Sequence, residues 1–383
     1  MNMTYLNIDD ATLEQNNGYW TAKEIAHQPE MWRQTQQILD DNADAINDFI
    51  APLMKIDNLR IILTGAGTSA FAGESIAPDL LKITNKRVEA VATTDLVSGP
   101  ELYFQKDVPT LVVSFSRSGG SPESMAAIEL SEQTIENCYQ LVLTCNHDGD
   151  LYKRCQNLSN SFALLMPAET HDKSFAMTSS FSSMVYAALM ILTGQKNHVN
   201  AISDATTKVI EGHNDALKSI ADKNFERVVY LGSNGLKGLA REASLKLLEL
   251  TDGKTVTMFD SPLGFRHGPK TIVTPSTLIF VFISNDPYTR KYDLDLLNEI
   301  RTDNEVGQVI AITAQEDENV YNGDYLMVDG LDSAADTDIL FPYIVCAQIY
   351  AFHHALKLGN TPDSPSLSGT VNRVVQGVTI HSL

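Results

Sequence analysis

The stretch from residue 110 to residue 123 reads TLVVSFSRSGGSPE. Its apolar, β-branched start, Thr110 to Val113, predicts a buried strand. Ser121 suits the N-cap and Pro122 the first position of a helix that continues over residues 124–132. The stretch therefore predicts a strand, a glycine turn and a helix, which together form the repeating unit of parallel α/β sheets.

The turn in this stretch is rich in hydroxyl groups and holds one cation. Ser114, Ser116, Ser118 and Ser121 surround Arg117. The N-terminus of the following helix adds free N–H groups and the positive end of its dipole. Many donors and a cation are what a phosphate monoester requires. The alternative is a capped turn that binds nothing, since serines cap many helices.

The net charge limits the partners of the chain. Its 383 residues carry 28 Lys and Arg against 48 Asp and Glu, a net charge of −20. Such acidity disfavours general binding of nucleic acid or anionic membranes, so a phosphate must be held in a local pocket. The polar N-terminus predicts no signal peptide. No apolar run approaches the roughly 20 residues of a membrane-spanning helix.

The cysteines and histidines predict neither disulfides nor a metal site. The nine histidines lack H-E-x-x-H and H-x-H spacing, which predicts no bound metal. The cysteines form no C-x-x-C pair, and we expect reduced, mostly buried thiols in a cytoplasmic protein. These cysteines are Cys138, Cys145, Cys155 and Cys346.

The chain repeats itself at an offset of 167 residues, which aligns Gly65 with Gly232. Residues 61–65 then face residues 228–232, and residues 110–115 face residues 277–282 without a gap. Apolar strands that alternate with helices indicate parallel sheets covered on both faces. We therefore predict an α/β fold with two tandem domains, each a doubly wound, three-layer αβα sandwich. The further predicted strands are 141–144, 162–166, 309–313 and 325–328.

Other segments flank the two repeats. Residues 21–54 predict a helical extension that starts with a capping box from Thr21 to Glu24. Residues 336–358 predict an apolar helix, and the tail after it lacks helical periodicity, so we expect it on the surface or on a neighbouring subunit. The predicted boundaries are 1–55 for the extension, 56–200 for the phosphate-binding domain, 201–358 for the catalytic domain and 359–383 for the tail.

The two repeats differ where a ligand would bind. The first repeat has Gly67, Thr68 and Ser69 after its first strand, where the second has Asn234, Gly235 and Leu236. The serine turn at 116–119 corresponds to residues 283–286, whose aspartate would repel an anion. We expect one phosphate site per chain, at the carboxyl ends of the strands of the first repeat.

The second repeat contains two candidate catalytic segments. Glu242, Lys246 and Glu249 share one face of a predicted helix, where the amine would help to keep a glutamate ionised. The alternative is a solvated ladder of salt bridges. The segment 261–270, SPLGFRHGPK, predicts an irregular loop in which two cations flank His267 and favour the neutral imidazole for acid–base chemistry. The alternative is a histidine at a structural turn.

A further loop, residues 167–180, reads PAETHDKSFAMTSS. It is dense in hydroxyl groups and charges and follows a predicted strand. The loop could close over a polyhydroxy ligand, or it could be a helix N-terminus that Thr178 caps.

These motifs together resemble the tandem sugar isomerase (SIS) family from about residue 40 onward. GAGTS at 65–69 and SRSGGS at 116–121 match the sugar and phosphate loops of that family. EASLKLLE at 242–249 and RHGP at 266–269 are similar to the isomerase half of glucosamine-6-phosphate synthase. The bacterial galactosamine-6-phosphate deaminase/isomerase group, also described as tagatose-6-phosphate ketose/aldose isomerases, resembles the chain more closely, in ATTDLV at 92–97, PAETHD at 167–172, FAMTSSF at 175–181 and PLGFRHGP at 262–269.

The resemblance implies aldose–ketose isomerase chemistry without a metal or a redox cofactor. Glu249 would move the proton between C2 and C1 of the sugar, and His267 would open the ring. The relatives pair their subunits so that this histidine comes from the neighbour, which implies a homodimer or higher oligomer with shared sites between SIS domains. The implied substrate-binding residues are Thr68, Ser69, Ser116, Arg117, Ser118, Ser121, Thr178 and Lys246.

The substrate implied by the resemblance is galactosamine 6-phosphate, converted to tagatose 6-phosphate and ammonia. We expect the catabolic direction, because the chain has no glutaminase segment like that of the synthase. Arg117 stands where the synthase has a glutamine, and Gln376, where the synthase has a lysine, is given no role. The alternatives are a plain tagatose-6-phosphate ketose/aldose isomerase and a regulatory SIS protein that senses a sugar phosphate.

Overall fold

The structure is a computed structural model that describes residues 4–156, 158–194, 198–223, 225–366, 368–369, 371–375 and 377–382. The chain divides into two compact units, and each contains one five-stranded sheet. The first-sheet unit comprises Glu30–Asp172, Ser179–Asn197 and Val371–Leu383. The second-sheet unit comprises Met1–Pro29, Lys173–Thr178 and His198–Thr370. The boundaries predicted at residues 55, 200 and 358 stay a prediction.

Strands and helices alternate through the first part of the chain. In order they are β1 (Thr4–Tyr5), β2 (Ile8–Asp9), α1 (Asp10–Gln15), α2 (Tyr19–Ala26), α3 (Gln28–Asp41), α4 (Ala43–Met54), β3 (Arg60–Thr64), α5 (Thr68–Thr84), β4 (Arg87–Ala90), α6 (Thr93–Ser98), α7 (Pro100–Tyr103), β5 (Thr110–Ser116), α8 (Pro122–Thr134), β6 (Cys138–Thr144), α9 (Asp150–Cys155), β7 (Ser161–Leu165) and α10 (Ser179–Thr193).

The second part of the chain repeats the alternation. Its elements are α11 (Val199–Ala221), β8 (Arg227–Gly232), α12 (Gly235–Leu250), β9 (Val256–Asp260), α13 (Pro262–Phe265), β10 (Thr277–Phe282), α14 (Thr289–Asp303), β11 (Gln308–Thr313), α15 (Glu318–Tyr321), β12 (Tyr325–Met327) and α16 (Asp336–Lys357). Single turns of 3₁₀ helix span Ala168–Thr170 and Pro269–Ile272.

Both sheets have the same strand order, and their strands run parallel. The order is β4-β3-β5-β6-β7 in the first-sheet unit and β9-β8-β10-β11-β12 in the second. Counted within each unit, both orders are 2-1-3-4-5, a doubly wound arrangement. The strands β3, β5, β8 and β10 start at Arg60, Thr110, Arg227 and Thr277. The offset of 167 residues therefore aligns equivalent strands, and the predicted α/β fold is confirmed.

A glycine at or directly after the end of the first strand of each repeat explains why the repeats align. A Cβ on Gly65 would lie 2.5 Å from Cβ of Ser69, and one on Gly232 would lie 2.4 Å from the carbonyl oxygen of Leu236. Each helix therefore passes so close to its strand that a side chain would not fit.

The apolar helix predicted at 336–358 is α16, a core helix of the second-sheet unit. It packs against α11 and α12. Among the helices of the described residues, it alone is long and apolar enough to cross a bilayer. Its most apolar stretch of 18 residues is 94% buried inside the protein. Burial by neighbouring helices accounts for its composition.

The predicted N-terminal extension is helical but consists of three helices, and the predicted capping box is wrong. Helix α2 begins after Gly18, so Thr21 and Glu24 lie inside it. The carboxylate of Asp363 instead accepts from the backbone N–H groups of Trp20 (3.0 Å) and Thr21 (2.7 Å). A carboxylate from the tail thus supplies the acceptor that the local sequence was expected to provide.

Candidate active site

The sugar-loop candidates lie at the start of α5 in the first-sheet unit. Thr68 and Ser69 are its first two residues, and each is buried. Gly67 precedes them with φ of +56°, and its counterpart Asn234 has nearly the same φ, +54°. The sharp backbone turn is therefore common to both repeats, and the difference between them lies in the side chains that follow it.

The serine turn after β5 is held together by its own hydroxyl groups. Ser121 is the N-cap of α8, as predicted, and its Oγ accepts from the backbone N–H of Ser124 at 3.2 Å. Oγ of Ser116 accepts from the N–H of Gly119 at 3.0 Å. The side-chain amide of Asn146 donates to the carbonyl of Ser118 at 2.8 Å.

Gly119 and Gly120 in this turn have different environments. Gly119 has φ of +65°, and a Cβ there would lie 3.1 Å from Cα of Gly149. A Cβ on Gly120 would meet no atom within 4 Å. The turn is therefore packed against the α9 side at Gly119 and open at Gly120.

Arg117 places positive charge beside this turn. It is buried, and its Nη2 donates to the carbonyl of Arg373 at 2.9 Å. Burial, together with the charges of Arg373 and Arg117, lowers the pKa of His171. Positive potential therefore surrounds the carboxyl end of β5, which favours an anion.

The three charged residues of α12 form a buried cluster, so the alternative of a solvated ladder is wrong. Nζ of Lys246 lies 2.5 Å from Oε2 of Glu249 and 3.4 Å from Oε1 of Glu242. The side chains of Lys246 and Glu242 are fully buried, whereas that of Glu249 is 23% exposed. The cluster combines two carboxyl side chains with one amine, and of the three only Glu249 reaches the surface.

The segment around His267 is more regular than predicted. Ser261 caps the short helix α13, and the 3₁₀ turn starts at Pro269. His267 itself is exposed. The cations that flank it are paired, since Glu299 of α14 binds both Arg266 (2.8 Å) and Lys270 (2.5 Å). Both flanking cations are thus ion-paired, and their effect on His267 stays a prediction.

The loop at 167–180 is anchored by two carboxylates, Asp172 and Glu24, to which the sequence motifs gave no such role. Oδ2 of Asp172 accepts from the backbone N–H of Ser180 at 3.0 Å, so Asp172 binds the backbone at the N-terminus of α10. In the second-sheet unit, the buried carboxylate of Glu24 accepts from the N–H of Lys173 (2.5 Å) and from Oγ of Ser174 (2.5 Å). Glu24 lies about 150 residues away in the chain, and no local pattern indicates this contact.

The predicted site residues fall into two groups. Thr68, Ser69, Ser116, Arg117, Ser118 and Ser121 belong to the first-sheet unit. Thr178, Lys246, Glu249 and His267 belong to the second-sheet unit. Gln376 lies outside the described residues.

The second repeat fills the place of the serine turn with its own carboxylates. Asp336 accepts from Oγ of Ser284 (2.6 Å) and from the N–H of Asn285 (2.7 Å). Asp293 accepts from the N–H of Ser284 at 2.9 Å, and burial raises its pKa to about 7. The donors that hold an anion in such a turn are here taken by side chains of the protein.

The thiols and possible metal ligands add no further site. Cys138, Cys145, Cys155 and Cys346 are free and buried, as predicted, and burial raises the pKa of each thiol. Over the residues that the structure describes, no group of three or more His, Cys, Asp or Glu side chains could hold a metal ion.

Comparison with known proteins decides the family. Residues 54–194 match the SIS domain family. The D-galactosamine-6-phosphate deaminase AgaS of Escherichia coli is 48% identical over 368 residues, which are 95% of this chain and 96% of that protein. The chain belongs to the AgaS family of SIS-domain proteins.

Further members of this family match the chain over nearly their full length. The D-galactosamine-6-phosphate deaminase AgaS of Shewanella sp. is 42% identical over 96% of this chain and 93% of that protein. The crystal structure of tagatose-6-phosphate ketose/aldose isomerase from Escherichia coli has the same fold, with a TM-score of 0.90 over 100% of this chain and 99% of that chain. The two sequences are 44% identical. The resemblance to the deaminase/isomerase group is confirmed.

Proposed function

We propose that this protein is a galactosamine-6-phosphate deaminase/isomerase. It converts galactosamine 6-phosphate and water to tagatose 6-phosphate and ammonia. One observation carries the proposal: of the three clustered charged residues of α12, Glu242 and Lys246 are completely buried and only Glu249 is partly exposed. Burying two charged side chains is costly, and a binding module that only senses a sugar phosphate has no need of a carboxylate held in this way.

The phosphate is assigned to the serine turn. Ser116, Ser118 and Ser121 provide hydroxyl donors, and the start of α8 provides N–H groups and its dipole. Arg117 adds positive charge. The turn is preorganised by its internal hydrogen bonds and by the packing of Gly119. Thr68, Ser69 and Thr178 are assigned to the sugar hydroxyls.

The chemistry is assigned to His267 and Glu249. His267 gives a proton to O5 while the C1–O5 bond breaks, and the C1 hydroxyl releases its proton to water. Glu249 takes the proton from C2 while O1 takes a proton from water, which gives an enolamine. Glu249 then returns its proton to C1 while the amine loses a proton to water and the C2=N bond forms. The resulting ketose imine adds water and releases ammonia. Lys246, whose Nζ lies 2.5 Å from Oε2 of Glu249, holds in place the carboxylate that must accept the proton.

The first test is ammonia release from galactosamine 6-phosphate, with glucosamine 6-phosphate measured alongside. We expect ammonia from the galacto sugar and little from the gluco sugar. Release of no ammonia from either sugar would overturn the proposal.

Tagatose-6-phosphate ketose/aldose isomerisation is the second candidate, because a solved relative of 44% identity carries that name. The same proton transfer would serve a substrate with oxygen at C2. Interconversion of tagatose 6-phosphate with its aldose, without ammonia release from amino sugars, would favour this candidate.

We also propose a homodimer or higher oligomer with shared active sites, acting in the cytoplasm. The exposure of His267 and the four free thiols support these assignments. Mixing His267→Asn and Ser118→Ala subunits, each of strongly reduced activity, tests the sharing. We expect activity to return on subunit exchange, and its failure to return in exchanged mixtures would contradict sharing.

A further inference from the structure

One carboxylate binds the residues on both sides of His267. Oε2 of Glu299 lies 2.8 Å from Nε of Arg266, and its Oε1 lies 2.5 Å from Nζ of Lys270. Lys270 also lies 2.5 Å from Asp303, one turn further along α14. These hydrogen bonds and charges lower the pKa of the Glu299 carboxyl, so it is ionised at neutral pH.

Apolar packing and local backbone hydrogen bonds also hold this segment. Ile272 packs against the core cluster that contains Phe265, and the N–H of His267 donates to the carbonyl of Gly264 at 2.9 Å. Phe265 is fully buried and fixes the start of the segment. After it, Gly268 turns the chain with φ of +118°, and no atom lies within 4 Å of the place where its Cβ would be. The segment that carries His267 is therefore exposed, and Glu299 ties both of its ends to α14.

We propose that Glu299 is a positioning residue for His267. By holding Arg266 and Lys270 on α14, it fixes the imidazole for proton transfer to O5. The inference rests on the proposed function, since it concerns the ring-opening step of that reaction.

A double-mutant cycle on kcat/KM tests whether Glu299 acts through His267. Glu299→Gln keeps the shape of the side chain and removes its charge. Misplacing an acid–base group costs about 10- to 100-fold, and we expect such a loss for Glu299→Gln. Sugars also open spontaneously, so His267→Asn should keep residual activity. In the His267→Asn variant, adding Glu299→Gln should lower kcat/KM by less than about 2-fold.

The matched control is Asp303→Asn. Asp303 lies on the same helix and pairs with Lys270, but it does not bridge to Arg266. We expect it to keep kcat/KM in both backgrounds. If Glu299→Gln folds poorly, Arg266→Gln replaces it in the cycle, because it removes the Arg266–Glu299 contact from the other side. Its effect on kcat/KM should be non-additive with that of His267→Asn in the same way. Unfolding midpoints of all variants report folding separately.

The inference would be overturned if Glu299→Gln lowered kcat/KM equally in the presence of His267 and in the His267→Asn variant. It would also be overturned if Glu299→Gln did not lower kcat/KM in the enzyme that keeps His267. Either result shows that Glu299 does not act through the histidine. The unchanged enzyme reports independently on the proposed function, because it must first release ammonia from galactosamine 6-phosphate. If it isomerises tagatose 6-phosphate instead, the same cycle is run on that reaction.

Discussion

At the scale of single residues, burial changes what the charges of α12 can do. Glu242, Lys246 and Glu249 have the spacing of an ordinary surface ladder, in which each pair contributes only about 0.2–0.5 kcal/mol. In the structure two of the three side chains are fully buried. The low dielectric of the interior strengthens their interactions and makes each charge depend on its partner.

Glu249→Gln should remove the proton acceptor and keep the binding residues. We expect kcat to fall about 10²–10⁴-fold, the usual contribution of a general base. Affinity for the sugar phosphate, measured by calorimetry, should change little. Unchanged kcat would contradict the assignment of Glu249, and lost binding with unchanged kcat would indicate a role in binding instead.

Lys246→Met should destabilise the fold as well as lower the activity. It leaves the buried carboxylate of Glu242 without this cation, and breaking a buried pair costs about 3–5 kcal/mol. Urea unfolding measures the loss. Adding Glu242→Gln removes the buried negative charge and should restore part of the stability, whereas a further loss in the double variant would contradict this explanation.

At the scale of elements, the turns between strands and helices combine local signals with close packing. Ser121 caps the N-terminus of α8, and Pro122 fixes φ at its first position. Both effects are local and do not depend on residues far away in the chain. Gly119 has a different role, because its φ is positive and the backbone of Gly149 lies against it. The shape of the serine turn therefore depends on a neighbouring loop as well as on its own residues.

Gly119→Ala should deform the serine turn, and Gly120→Ala is its matched control. A side chain at Gly119 combines a positive φ with a contact of 3.1 Å to Gly149, and we expect a cost of about 1–3 kcal/mol. Thermal unfolding and inhibition by inorganic phosphate measure the effect. Gly120→Ala, whose Cβ meets open space, should keep the unfolding midpoint. Equal midpoints for the two variants would show that the turn is not tightly packed.

Glu24→Gln should loosen the segment from Lys173 to Thr178. Its carboxylate accepts hydrogen bonds from the N–H groups of Lys173 and Ser174, and an amide nitrogen in place of one oxygen cannot accept them. We expect faster hydrogen exchange at residues 173–176 and a raised KM. Glu30→Gln, at an exposed position of α3, is the control. Unchanged exchange would show that other contacts hold the segment.

At the scale of the whole molecule, buried ionisable groups couple stability to pH. Burial, with the charge of Lys218, lowers the pKa of His353 to about 4, and Nε2 of His353 lies 2.8 Å from Oδ1 of Asn214. The unfolded chain binds this proton near pH 6.5, so the stabilising contribution of His353 is lost as pH falls toward 4. The raised pKa of Asp293 acts in the opposite direction, because the folded state binds its proton below about pH 7.

Replacing His353 should therefore flatten the acid side of the stability curve. For His353→Gln we expect the loss of stability between pH 6.5 and pH 4 to shrink by about 3 kcal/mol. Chemical unfolding at several pH values measures it. His147, which is exposed, provides the control His147→Gln with an unchanged slope. A slope that His353→Gln leaves unchanged would show that this histidine is not buried in its neutral form.

The sequence by itself determined the repeat, the strands, the serine turn and the family. Strand runs, the cap at Ser121 and the glycines at 65 and 232 are local signals, set by backbone conformation and by a regular spacing of apolar residues. Only the tertiary structure decided the burial of Lys246, the pairing of Glu24 with Ser174 and the contacts of Glu299. Helical spacing shows that charges share a face, but which face is covered depends on segments far away in the chain. The same distance in sequence explains the wrong capping box, since Asp363 lies more than 300 residues from the helix that it caps.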